Sequence, residues 1–473
     1  MRTTKRPERR RGLGLMSLLA LVALLAACGG TQSAAPTAAP AGAAGAAGAV
    51  SEPAAEPAAE PAAATSAPAA AGSAPAEGKI QVAVVAGTML ATMQKLADTF
   101  EAAHPGVTVE IVNEPEGGAF EALIAAGNQP DLITGSFGYM PAKYASINAL
   151  VPLEDLPGAA ELFARLDEKT VNQDLGHNFY VPLGVDITAM IYNKELFKEA
   201  GLDPEKPPET WPEFLDAAQK IQALPPRADG SKVYGTVFWN DALAWGGWYW
   251  NMLQPLYLNG NQNQCALVNR LGTDIVFDKP ECKMDAFFDF TTQAQQYAPP
   301  TMEKNFFSRS IGMWPQYGYS WEPNLKDAKD TPMTMGEDVG IAPVPVPEAG
   351  QTSYSTLGGR PLMLMKTTPE RQALAWEFMK FLMEDEHNLQ FIKELGYLPA
   401  ITTLQSDPYF AEPARKPFVD MLQTAVYPQA LANFDAAANA VLGVYQETVV
   451  QGMHDPQAAA TLAAEKARAA LKK

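Results

Sequence analysis

Residues 180–221 constrain the chain more than any other stretch. They read YVPLGVDITAMIYNKELFKEAGLDPEKPPETWPEFLDAAQKI. Two apolar runs, rich in β-branched and aromatic residues, flank the carboxylate of Asp186 and suit buried strands. The pattern predicts a strand, a tight turn, a second strand, a short helix over 194–200, a proline loop and a helix over 211–224. Asn193 is placed to cap the first helix, with Gly201 at its C′ position. Thr210, with Glu213 three residues on, spells a capping box for the second.

The preceding segment sets the fold class. Residues 79–86 (KIQVAVVA) form a β-rich run, and 89–103 carry apolar residues at helical period. His104-Pro105-Gly106 ends that helix, with His104 expected as a solvated turn residue, and 107–112 form a second strand. Strand, helix and strand in this order open a parallel α/β layer. A helix over 120–126 leads to a third strand near 132–133. In open parallel sheets ligands sit beyond the carboxyl ends of the strands, which puts the loop 134–139 (TGSFGY) in a useful place. Ser136 offers a hydroxyl there and Phe137 or Tyr139 a flat face. The alternative is a glycine-rich turn with aromatic packing. Residues 238–258 are the most aromatic window, with Trp239, Trp245, Trp248, Tyr249 and Trp250. Rigid rings of this kind suit the C–H face of a sugar. Trp248 and then Trp239 are the candidates for a cleft, whereas Trp245 and Tyr249, four apart, could share a buried helix face.

The N-terminal residues indicate the compartment. Arg2, Lys5, Arg6, Arg9, Arg10 and Arg11 precede an apolar run over 13–27. That run is shorter than the roughly 20 residues a membrane span needs and fits the core of a signal peptide. It ends Leu25-Ala26-Ala27-Cys28, which resembles the lipobox of bacterial lipoproteins. Lipidation of Cys28 and cleavage before it are therefore expected, with an uncleaved anchor as the alternative. Residues 29–78 are Ala, Pro, Gly and Ser with a few Glu. They lack an apolar period and read as a disordered, partly polyproline tether. In an oxidising compartment Cys265 and Cys282 are expected to form a disulfide, the alternative being two free thiols.

Residues 79–473 suffice for one large or two ordinary domains. Cleavage after residue 27 would remove six basic side chains and Glu8, moving the net charge from −18 to −23. A nucleic-acid partner is excluded on that balance, because the phosphate interaction would be repulsive. The four histidines (His104, His177, His387, His454) are scattered, and HExxH, CxxC, GxSxG and GxxxxGKS are absent. No catalytic residue, metal or cofactor is expected. Carboxylates are plentiful, so a glycosidase pair is not ruled out by counting.

Several motifs in order resemble the extracellular solute-binding proteins of family 1, the carbohydrate-type binding subunits of ABC importers that include the maltose-binding protein. They are the F-x-x-x-x-P-G-V-x-V ending at 100–109, the G-x-x-P-D-L run at 127–132, and Leu150-Val-Pro-Leu-Glu-Asp-Leu156. Tyr192-Asn193-Lys194 with Ala200-Gly201-Leu202 and Thr210-Trp211 follows, then 310–321 (SIGMWPQYGYSW), Ile341-Ala-Pro-Val-Pro, Gly358-Gly359-Arg360 and Gly396-Tyr397-Leu398-Pro399.

The resemblance implies a periplasmic-binding-protein-like (type II) α/β fold with two lobes joined by a hinge of crossing segments. One lobe would comprise 79–185 and 361–398, the other 186–360 and 399–473. Asp186 falls where the maltose-binding protein has a glutamate that accepts hydrogen bonds from sugar hydroxyls; it either contacts ligand or ties the hinge backbone. Tyr319 falls near the family's sugar-stacking tryptophan, with Trp321 two beyond. Arg360 is either a forked donor to ligand or half of a hinge ion pair. Phe434 is a candidate to reach the cleft from the second lobe.

The implied function is non-enzymatic: a monomeric, membrane-anchored lipoprotein facing the periplasm or extracellular space. It would capture a sugar or oligosaccharide and deliver it to an ABC permease. The alternatives are a binder of a polyamine, amino acid derivative or glycerophosphodiester, a lipid-anchored glycosidase, and a surface adhesion or sensor protein.

Overall fold

The structure, a computed structural model, describes residues 77–115, 118–135, 140–173, 175–238, 250–269, 271–300, 306–318, 325, 328, 331–427, 429, 431 and 433–472. Strand β1 (Gly78–Val84) pairs in parallel with β2 (Val107–Asn113) and with β3 (Leu132–Ile133). The intervening helix Thr88–Ala103 buries Met89, Met93, Leu96, Ala97 and Phe100, the stripe its sequence period predicts. His104 departs from the expected solvated turn. Its Nδ1 lies 2.8 Å from the Phe100 carbonyl and its ring stacks on Phe100 at 4.1 Å, so it closes the helix as a half-buried packing residue.

Asp131 explains the G-x-x-P-D-L motif. The residue is fully buried and its carboxylate accepts from the Gln81 amide (2.8 Å), the Thr367 hydroxyl (2.9 Å) and the Arg371 guanidinium (2.7 Å). These charge-assisted bonds tie β1 and β3 to the helix Pro369–Leu382, whose N-cap is Thr368.

The region 180–193 corrects the expected strand–turn–strand. It is one strand, β4 (Tyr180–Asn193), with no turn at Gly184. Gly184 is needed for close approach instead, since a Cβ there would lie 2.8 Å from the Tyr397 Cβ. Pro182 faces Pro361 on the neighbouring strand β8 (Ser355–Leu364), and the register shifts between Pro182 and Gly184. Neither proline has an N–H to give the ladder, and a bulge is where sheets accommodate this.

β4 changes partners half-way. Tyr180 to Ile187 pair with β8, which also pairs antiparallel with β3. Thr188 to Asn193 pair with β6 (Ile311–Gly318) and β7 (Val339–Ala342), and β6 pairs in parallel with β5 (Tyr234–Thr236). Among the described residues the strand order is β2-β1-β3-β8-β4-β6-β5, with β7 on β4 and β9 (Ala425–Val426) on β8.

Three apolar clusters fill the layers. One packs the helices Thr88–Ala103, Pro369–Leu382 and Asp385–Leu395 on the first sheet, and continues through β4 to Trp314 and Tyr317 of β6. A smaller one, with Phe120, Tyr144 and Met363, covers the opposite face of that sheet. The third gathers the helices Trp211–Gln222, Trp250–Asn261, Met284–Gln295, Phe434–Tyr445 and Pro456–Ala470 around Met190, Tyr192 and Met313. Cys265 and Cys282 are disulfide-bonded within it, with Cα atoms 5.3 Å apart. The predicted caps are present: Asn193 accepts from the amides of Glu195 and Leu196, Gly201 has φ +73°, and Thr210 and Glu213 form the capping box.

Candidate functional site

The candidate site grows from the point where β4 exchanges partners. Asp186 stands opposite Gly358 of β8, two residues before the pairing with Gly318 of β6 begins at Thr188. A Cβ at Gly318 would lie 2.9 Å from Asp186 Oδ2, and one at Gly358 would lie 3.5 Å from its Cβ. The two glycines thus leave room for a half-buried carboxylate between strands. Asp186 Oδ1 accepts from the Ile187 amide at 2.8 Å, so one of its oxygens ties the crossing strand.

Arg360 lies on β8 just past the glycine pair. Its Nε donates to the Tyr397 hydroxyl at 2.9 Å and its Nη1 to the Gly135 carbonyl at 2.9 Å. Gly135 follows β3 with φ +38°, a left-handed conformation that glycine adopts without strain, and the chain turns there toward Arg360. Tyr397 is buried and lies parallel to Phe391, which fixes its hydroxyl. Burial pushes the Arg360 guanidinium down. The Tyr397 hydroxyl and the carboxylates of Glu114 and Asp186 outweigh this and hold it above its ordinary value.

Glu114 completes the group. Its amide donates to the Val84 carbonyl at 2.7 Å, which carries the β1–β2 pairing one residue past β2. It therefore sits at the carboxyl edge of the parallel strands, the side on which Arg360 reaches Gly135. Its Oε2 is buried without a hydrogen-bond partner. Burial pushes the Glu114 carboxyl up, against the opposing pull of Arg360. Among the described residues no cluster of three His, Cys, Asp or Glu side chains is arranged to hold a metal ion.

The structure thus brings together Asp186 and Arg360 from the sequence expectations. Ser136, Phe137, Tyr139, Trp239, Trp248, Tyr319, Trp321 and Cys28 lie outside the described residues. Gly135 and Gly318, the described neighbours of two of those segments, meet Arg360 and Asp186 respectively. Phe434 is 1% exposed and packs in the third core cluster, so its ring offers no face to a cleft. The physical reason is that it begins a helix whose buried stripe includes Ala437, Ala438 and Val441. Sequence reading missed Glu114 and Tyr397 as site residues. Glu114 has one signal, its place just after a strand at the ligand edge of a parallel sheet; Tyr397 reads in sequence as part of the Gly396–Pro399 family motif.

Residues 86–388 match the family described as bacterial extracellular solute-binding protein. The chain belongs to that family. This solute-binding protein is 25% identical over 381 residues to the maltotriose-binding protein of Pyrococcus abyssi, covering 78% of this chain and 76% of the relative. It is 26% identical over 352 residues to the sn-glycerol-3-phosphate-binding periplasmic protein UgpB of Pectobacterium atrosepticum, covering 67% and 71%. Among solved structures, the cyclic alpha-maltosyl-1,6-maltose binding protein from Arthrobacter globiformis superposes with a TM-score of 0.70 at 22% identity, covering 84% of this chain and 99% of that one. At that identity the likeness is one of fold: two α/β sheets in the maltose-binding-protein arrangement. No described helix is long and apolar enough to cross a membrane.

Proposed function

We propose that the protein captures a carbohydrate, a sugar or short oligosaccharide, and delivers it to the membrane subunits of an ABC importer. The supporting observation is the cluster of Asp186, Arg360, Tyr397 and Glu114, donors and acceptors gathered where β4 exchanges one sheet for the other. Such a site can report ligand to both sheets. Closure then follows from contacts that the solute makes only when the sheets approach. In this reading 79–185 with 361–398 form one lobe and 186–360 with 399–473 the other, with β4 and β8 as the hinge. Cys28 carries lipid, residues 29–78 tether a monomeric body to the outer face of the membrane, and the bound solute leaves chemically unchanged.

A second reading takes Arg360 as the charge partner of an anionic solute, in keeping with the name of the UgpB relative. Thermal unfolding of the chain against sugars, polyamines, amino acids and phosphodiesters tests both. Binding stabilises the fold by about 2.7 kcal/mol at a hundredfold excess over Kd. A shift confined to one sugar class, with the sugar recovered intact, supports capture. Loss of the sugar on incubation would indicate a glycosidase, and a shift only with charged solutes would move the assignment.

A further inference from the structure

We propose that this cleft selects an uncharged, hydroxyl-rich solute and excludes a phosphorylated one, and that Glu114 is the residue that decides. The inference rests on the reading of this cluster as the solute site. Arg360 spends its Nε on Tyr397 and one Nη1 proton on the Gly135 carbonyl. Its Nη2 makes no hydrogen bond among the described residues, so part of the guanidinium fork is left for a ligand.

Glu114 supplies the opposite face. Its Oε2 is withdrawn from water and has no hydrogen-bond partner. An unmatched buried acceptor is a standing cost that a donor removes. The two residues sit at the ends of different strands: Glu114 just past β2, and Arg360 against Gly135 just past β3, with β1 between those strands. Two strand spacings, roughly 10 Å, separate those strand ends. The loop after β1 borders open space, since a Cβ on Gly87 would meet nothing within 4 Å.

A hydroxyl accepts and donates at once, so neighbouring hydroxyls satisfy Arg360 and Glu114 together. A phosphate behaves differently. As the dianion of a phosphomonoester the group carries nearly two negative charges and accepts only. The dianion would take the Arg360 donors, bring no proton of its own to Glu114, and set like charge near that carboxylate. Asp186 adds to the same exclusion, because it too acts on Arg360. Two carboxylates around one guanidinium cancel the cation that an anionic solute would need.

The test uses the full chain in three forms: wild type, Glu114→Gln, and Glu114→Gln with Asp186→Asn. Each is titrated at pH 8 with maltotriose, sn-glycerol 3-phosphate and methyl phosphate, read by calorimetry and thermal shift. Wild type is expected to bind neither phosphate compound at millimolar concentration. Glu114→Gln alone should bind methyl phosphate at least about tenfold more tightly than wild type, the factor of one charge-assisted hydrogen bond, and the double variant no less tightly. Maltotriose binding should weaken by about the same factor in Glu114→Gln.

Phosphate binding to wild type as tight as that of maltotriose would overturn the inference. So would variants that remain as blind to phosphate as wild type. If maltotriose fails with wild type while phosphate binding appears on removal of the carboxylates, the choice of sugar falls and the role of Glu114 stands.

Discussion

Glu114 shows how one residue can set both specificity and pH response. Its carboxyl is raised above the ordinary value by burial, so the folded protein holds that proton more tightly than the unfolded chain. Its contribution is fully present below about pH 4.5, the ordinary value of the free side chain, and is lost as pH rises through the folded value. Carboxylates with lowered values, such as Glu394 and Asp407, act in the opposite sense, so the difference between two proteins is the informative quantity. Glu114→Gln should therefore gain in melting temperature relative to wild type as pH rises from 4 to 8. A difference independent of pH would remove Glu114 as a buried titrating group. Tyr397→Phe withdraws the acceptor from Arg360 Nε. Ligand affinity should fall by about fivefold to tenfold, with a loss of about 1 kcal/mol in stability by urea unfolding; an unchanged affinity would make the tyrosine a packing residue alone.

At the scale of elements, local chemistry and tertiary contact can be separated. Thr210→Ala removes the side chain that accepts the Glu213 amide, and about 1 kcal/mol of stability should go with it. Gly184→Ala probes the other influence. In an isolated strand alanine would be tolerated, but here its Cβ would enter Tyr397. Urea unfolding should show a loss of about 1–3 kcal/mol, typical of overpacking. A neutral outcome would mean that β4 and the 396–398 segment move apart easily. Asp131→Ala leaves the Gln81 amide and the Thr367 hydroxyl without their acceptor. It should cost about 2–4 kcal/mol through loosened strands β1 and β3.

The whole molecule depends on two long strands, β4, which serves both sheets, and β8, which pairs with its first half. If solute bridges the cluster at their crossing, small-angle scattering should show compaction on binding, whereas an identical profile with and without a bound solute would deny hinge closure. The Cys265–Cys282 bond lies in the third core cluster, apart from the Arg360 group. Replacing both cysteines with serine should cost about 3 kcal/mol, the entropy of releasing a loop of this length. Solute affinity should stay within about twofold, because distant sites act independently. A large affinity loss would couple that cluster to the cleft.

Much of this was legible in the residues themselves. The caps at Asn193 and Thr210, the apolar stripe of 88–103 and the parallel opening strands are set within a few positions of one another, so local physics determines them. The single strand over 180–193 was not legible, because what makes Gly184 a contact rather than a turn is Tyr397, far along the chain. The same holds for the site. Asp186 and Arg360 could be named from their motifs, but Glu114 gains its meaning only when the fold brings Arg360 within reach of its charge from another strand. Phe434 reads as an available ring in sequence and is a core ring in space. Sequence determined the elements and the family, because propensity and pattern act over short distances. Tertiary structure decided which charges meet, because burial and Coulomb interaction depend on position in space and not on order in the chain.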